Sequence, residues 1–122
     1  MCRMKKLVNG NSVADIKYDC IMNIIEQAEK CKGINKIVLF GSSIEERCTD
    51  DSDIDIAVFG NTAKTKYLKS KEFKDFHKNL FSFKNDFSQD YDILYFYENQ
   101  NHSDAIMTDI NNGIEIYRRS MS

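Results

Sequence analysis

Two apolar runs, Ile37 to Phe40 and Ile54 to Phe59, frame the segment FGSSIEERCTDDSDIDIAVF, and two acids, Asp53 and Asp55, stand where the second run begins. In a β-strand, side chains at i and i+2 share a face and lie about 6–7 Å apart along the chain. Asp53 and Asp55 therefore point one way, while Ile54, Ile56 and Val58 point the other way into a core. The register is firmly set, because a slip of one residue would bury both acids. Carboxylates held this close repel. Unit charges about 4 Å apart interact by roughly 4 kcal/mol at an effective dielectric of about 20. A proton or a cation relieves that repulsion. Mg2+ takes oxygen ligands, typically one or two carboxylates plus substrate phosphates.

Several familiar ion and phosphate motifs do not fit. Asp51, Asp53 and Asp55 imitate the first ligand positions of an EF-hand loop. However, Ile56 stands where that loop needs glycine, and Thr62 where it needs the bidentate glutamate. There is no G-x-x-x-x-G-K-[ST] and no G-x-G-x-x-G, so neither a P-loop nor a dinucleotide fingerprint is present. The strand before the acids ends in Gly41-Ser42. Alone, that pair reads as a turn with a helix cap. A strand, Gly-Ser and a helix start also leave backbone N–H groups and a hydroxyl able to hold phosphate. Next to an acidic pair on a neighbouring strand, a phosphate–metal site is the better reading.

The rest of the chain supplies a frame. Val13, Ile16, Cys20, Ile21, Ile24, Ala28 and Cys31 recur at helical spacing and predict a helix over residues 12–32. Ser12 with Asp15 would form its capping box, and Gly33 would end it. Short strands are expected at 37–40 and 54–59, with a short helix or turn at 43–48. Helix is expected over 64–83, a third strand over 91–97, a short helix over 103–112 and a last strand over 114–117. The short connection between the first two strands lacks the dozen or so residues of a parallel crossover. The expectation is an α/β (α+β) fold: a small mixed sheet with flanking helices.

At 122 residues the chain suffices for one domain, 1–122, and is too short for two. A net charge of −2 gives no global pull toward nucleic acid or anionic membrane, so direct nucleic-acid binding is not expected. No apolar run approaches the roughly 20 residues of a membrane span. The start, MCRMKKLVNG, is basic but has no apolar core of a signal peptide. Cys2, Cys20, Cys31 and Cys48 are scattered and read as reduced packing thiols, without a zinc site, in a cytoplasmic protein. Lys64, Lys66, Lys69, Lys71, Lys74, Lys78 and Lys84 form a basic stretch with interleaved Tyr67, Phe73 and Phe76. It reads as the solvated face of a helix, or as a surface for RNA or an acidic partner.

Gly41-Ser42, ten residues, then Asp53-Ile54-Asp55 resembles the signature of the DNA polymerase β-like nucleotidyltransferases. The nearest likeness is to their minimal prokaryotic members, with the string Phe40-Gly41-Ser42, Arg47, Ser52-Asp53-Ile54-Asp55. The resemblance covers nearly the whole chain in length and element order. It implies a third carboxylate on a later strand, for which Asp92 in YDILYF is the candidate, ahead of Asp90 and Asp86. It implies two Mg2+ ions held by Asp53, Asp55 and Asp92, and ATP as substrate. The triphosphate would meet Gly41, Ser42 and Arg47, and Asp92 would serve as ligand and proton acceptor. The sequence departs from many relatives in carrying an acidic SIEER after the glycine.

Ala57 and Phe59 follow the acids on one strand face, as Leu94 and Phe96 follow Asp92. That apolar face needs a cover. Another protein is the favoured source, with an internal helix or a self-dimer as the alternatives. Stand-alone relatives of this kind often pair with a HEPN protein as toxin and antitoxin, and the nucleotidyltransferase can move AMP onto a tyrosine of the HEPN partner. The resemblance thus implies a protein-modifying antitoxin. The alternatives are a non-catalytic module that neutralises a partner by contact, and a small-molecule nucleotidyltransferase.

Overall fold

The computed structural model describes residues 3–7, 10–45, 53–83, 90–98 and 106–119. Its centre is a four-stranded sheet of β3 (Ile34–Phe40), β4 (Ile54–Gly60), β5 (Tyr91–Tyr97) and β6 (Ile114–Arg118), in the order β5-β4-β3-β6. Strands β3 and β4 run antiparallel, as do β3 and β6, whereas β4 and β5 run parallel. The sheet is therefore mixed, as the short link after β3 requires. A separate two-stranded hairpin joins β1 (Met4–Lys6) to β2 (Ser12–Ala14).

Alternation along the strands sorts the core into two layers. Ile54, Ile56 and Val58 are wholly buried on one face with Ile37 and Leu39 of β3 and Tyr91 and Tyr95 of β5. Helices α1 (Tyr18–Glu29), α2 (Lys64–Lys69) and α3 (Lys71–Ser82) cover that face. They bring Cys20, Ile21, Ile24 and Ala28 from α1, Tyr67 from α2, and Phe73, Phe76 and Leu80 from α3. Each such large apolar side chain contributes roughly 1.5–3 kcal/mol by leaving water.

The other face carries Val38, Phe40, Ala57, Phe59 and Phe96. Within the chain, α4 (Ile106–Asn111) covers it by laying Ile110 there, with Met107 beside it. Phe59 and Phe96 stack at 5.3 Å and are only 7% and 8% exposed, so little apolar area remains to cover.

Three local expectations are corrected. Ser12 does not cap a helix. It pairs with Lys6 in the hairpin, Asp15 opens a 3-10 turn, and α1 begins only at Tyr18. Gly33 does not end α1 in a left-handed cap, since positive φ among the described residues occurs only at Gly10 and Gly41. It is small because a Cβ there would lie 2.5 Å from the Phe73 ring. The end of α1 is held by Arg119, whose guanidinium donates to the carbonyls of Cys31 (2.6 Å), Ile34 (3.1 Å) and Ala28 (3.4 Å). Finally, the helix expected over 64–83 breaks at Ser70, which is extended at ψ 133°. In one straight helix, residues 67 and 73 would point about 120° apart at 100° per residue. The break lets Tyr67 stack on Tyr95 at 3.9 Å and meet Phe73 edge-on at 4.1 Å.

Candidate active site

The parallel pairing of β4 with β5 sets Asp55 directly beside Asp92. Both alternate with buried residues of the main core, so both face the α4 side of the sheet. On the other flank, β3 places Phe40 opposite Asp55, and the chain then turns at Gly41 into a 3-10 turn, Gly41–Ile44. Gly41 has φ +76°, and a Cβ on it would collide with Asp55 Oδ2. Glycine thus serves twice here, by taking a left-handed turn and by letting a carboxylate lie against the main chain.

These groups open onto a pocket of about 490 Å3 lined by Phe40, Gly41, Ile44, Glu45, Asp55, Asp92, Asp109 and Asn112. Burial, then the charges of Asp92 and Asp53, holds the Asp55 carboxyl above the usual carboxylate range. Asp53 is exposed and stands one residue ahead of β4. Its charge reaches Asp55, but it does not line the pocket. Ser42 is the second residue of the 3-10 turn, while Arg47 lies outside the described residues.

Sequence reasoning missed Asp109 and Asn112. They come from α4 and its end and wall the pocket opposite the strands. No motif marks them, because they reach the site only once α4 has folded across the sheet.

The donor set suits a hard divalent cation. It is all oxygen, and its central carboxyl carries unrelieved repulsion from two neighbours. Among the described residues, no three Asp, Glu, His or Cys side chains are gathered tightly enough to hold an ion unaided. The fit is therefore of Asp55 and Asp92 as a pair, with substrate phosphate supplying further oxygens, as Mg2+ sites commonly require. The described cysteines take no part: Cys20 and Cys31 are buried in the core, and burial pushes the Cys31 thiol up. No described helix is long and apolar enough to cross a membrane.

The family model described as Polymerase beta, Nucleotidyltransferase matches residues 22–121, from within α1 to past β6. The chain belongs to that family. No curated protein matches the sequence. The mixed sheet with its flanking helices is consistent with the polymerase β-like nucleotidyltransferase fold, and the domain's general role is nucleotidyl transfer. All four strands of the central sheet, and with them the Gly41 turn, Asp55 and Asp92, fall inside the matched region.

Proposed function

We propose that this nucleotidyltransferase is Mg2+-dependent, moves AMP from ATP onto a protein partner, and acts as the antitoxin of a HEPN-type pair. The catalytic part is carried by one observation: Asp55 and Asp92 lie side by side on parallel strands, with the main chain at Gly41 pressed against the first. In this reading the triphosphate would lie along the Gly41-Ser42 turn and Asp55 and Asp92 would hold the divalent ions, with Asp53 and Arg47 added to the site by the sequence resemblance alone. Bound there, the ions would lower the pKa of an attacking hydroxyl and offset charge on the phosphates.

The acceptor hydroxyl oxygen forms a bond to the α-phosphorus. The bond from that phosphorus to the α–β bridging oxygen breaks, and pyrophosphate leaves with that electron pair. Asp92, exposed at the pocket edge, takes the hydroxyl proton. The pocket's other residues orient the acceptor and shield the reaction from water. The antitoxin role and the HEPN acceptor rest on the sequence resemblance.

A second reading, a contact-only binding module, is favoured by the lining itself. Glu45 and Asp109 add two acids, and no described basic side chain faces the triphosphate site. One assay separates the two. The protein is incubated with Mg2+, α-labelled ATP and a HEPN partner, as wild type and as Asp55→Asn. Label on the partner that vanishes in the variant supports transfer. Neutralisation of the partner without label, and unchanged by the substitution, overturns it in favour of contact.

A further inference from the structure

Among the described residues, the two large apolar side chains left in solvent are Leu68, 59% exposed, and Phe81, 52% exposed. Both belong to the α2–α3 pair. Between these helices lies a cleft of about 180 Å3 lined by Tyr67, Leu68, Phe73, Lys74 and His77. That volume suits one aliphatic or aromatic side chain. His77 is fixed there by a hydrogen bond between its Nε2 and the Tyr67 hydroxyl.

The charges around the cleft are sorted. At 100° per residue, His77, Phe81, Lys74, Lys78 and Lys71 fall within about 120° of one another around α3, with no acid among them. Asp75 and Glu72 lie on the next sector, on either side of Asn79. Asn79 in turn donates to Gln27 Oε1 of α1 (3.1 Å). Lys66 and Lys69 of α2 are also exposed. A solvated helix face has no need to segregate its lysines with its exposed apolar residues.

We infer that the Leu68–His77 cleft and the lysine-flanked face of α3 form a docking surface for a second protein, through an acidic amphipathic segment with an apolar anchor. Charge complementarity selects acidic flanks, and the cleft selects an apolar side chain between them. Nucleic acid fits less well. The Tyr67 and Phe73 rings are buried, at 3% exposed each, which leaves Phe81 as the one ring of this surface open for a base to stack on. The surface covers the sheet face opposite Asp55 and Asp92, so an occupant leaves the acidic pocket open. The inference does not depend on the transfer reaction.

The probe is a labelled helical peptide of about 18 residues, long enough to hold a helix. It carries leucines at i, i+4 and i+7 with glutamates on both flanks. Fluorescence anisotropy compares it with a version whose leucines are serine and with an oligouridylate of similar length. Leu68→Asp and the Lys74→Glu, Lys78→Glu double variant are run beside wild type, with circular dichroism melts confirming that each is folded. The expected result is binding by the leucine peptide alone, weakened at least tenfold by either variant. Amide shift changes should centre on Leu68, Lys74, His77 and Phe81. No binding, binding indifferent to the leucines or to the variants, or equal uptake of the oligouridylate would overturn it. So would wild-type self-association in sedimentation that Leu68→Asp abolishes, which would give the surface to a second copy.

Discussion

Removing the charge of Asp55 should separate activity from stability. Burial and two like charges raise its pKa, so the folded protein favours the protonated form more than the unfolded chain does. The stabilising contribution is full below the unfolded value of 3.8 and is lost as pH rises through the folded value. At neutral pH without divalent ions the carboxylate is therefore a liability. Asp55→Asn should melt higher than wild type there, with the gap closing below about pH 3.8, while nucleotidyl transfer falls about a thousandfold, roughly 4 kcal/mol of barrier. Thermal melts and a transfer assay on the same samples check both halves. Gly41→Ala meets two penalties at once, a left-handed φ and the Asp55 carboxylate in the space of its methyl. It should cost about 1–3 kcal/mol in denaturant unfolding, and it should lose activity by displacing Asp55.

Among the elements, α4 joins the second core layer to the site. Ile110 is its buried anchor, and Asp109 and Asn112 line the pocket from the same turn. Ile110→Ala should cost about 2 kcal/mol, the low end for losing a buried isoleucine at a small cluster's edge. Because it loosens the pocket wall, it should also raise KM for the acceptor more than it lowers kcat. A core truncation on the other face, Ile24→Ala, should destabilise without that kinetic signature. The four sheet strands, the mixed pairing and the shared face of Asp55 and Asp92 were legible because alternation fixes each side chain's direction. The sequence reading went wrong where helical spacing outran local signals. Val13 and Ile16 match a helical stripe, yet Asn9-Gly10 between two short apolar-flanked runs is a hairpin signal that takes the chain through Ser12 in a strand. The break at Ser70 has no glycine or proline to announce it and follows only from the need to seat Tyr67 and Phe73 together. The cover by α4 was illegible for a similar reason, since six residues carry too little periodicity to show which face they will bury.

Over the whole molecule, Asp55 and His77 pull stability in opposite senses with pH. Burial lowers the His77 pKa below 6.5, so the folded state favours the neutral ring that can accept the Tyr67 hydroxyl. That contribution is present above 6.5 and is lost as pH falls through the folded value. The melting temperature should therefore drop between about pH 7 and pH 5, and His77→Gln should flatten the drop. Beyond stability, the two faces of the sheet divide the molecule's tasks. One is packed under α1, α2 and α3, whose outer surface carries the lysine-flanked cleft, while the other gathers acids against a glycine turn. The most direct test of that second assignment is calorimetric titration of the protein with ATP, with and without Mg2+, for wild type, Asp55→Asn and Asp92→Asn. Saturable ATP binding that requires Mg2+ and disappears in both variants is the expected result. ATP uptake unchanged by either substitution, or no uptake by the wild type with Mg2+ present, would contradict it.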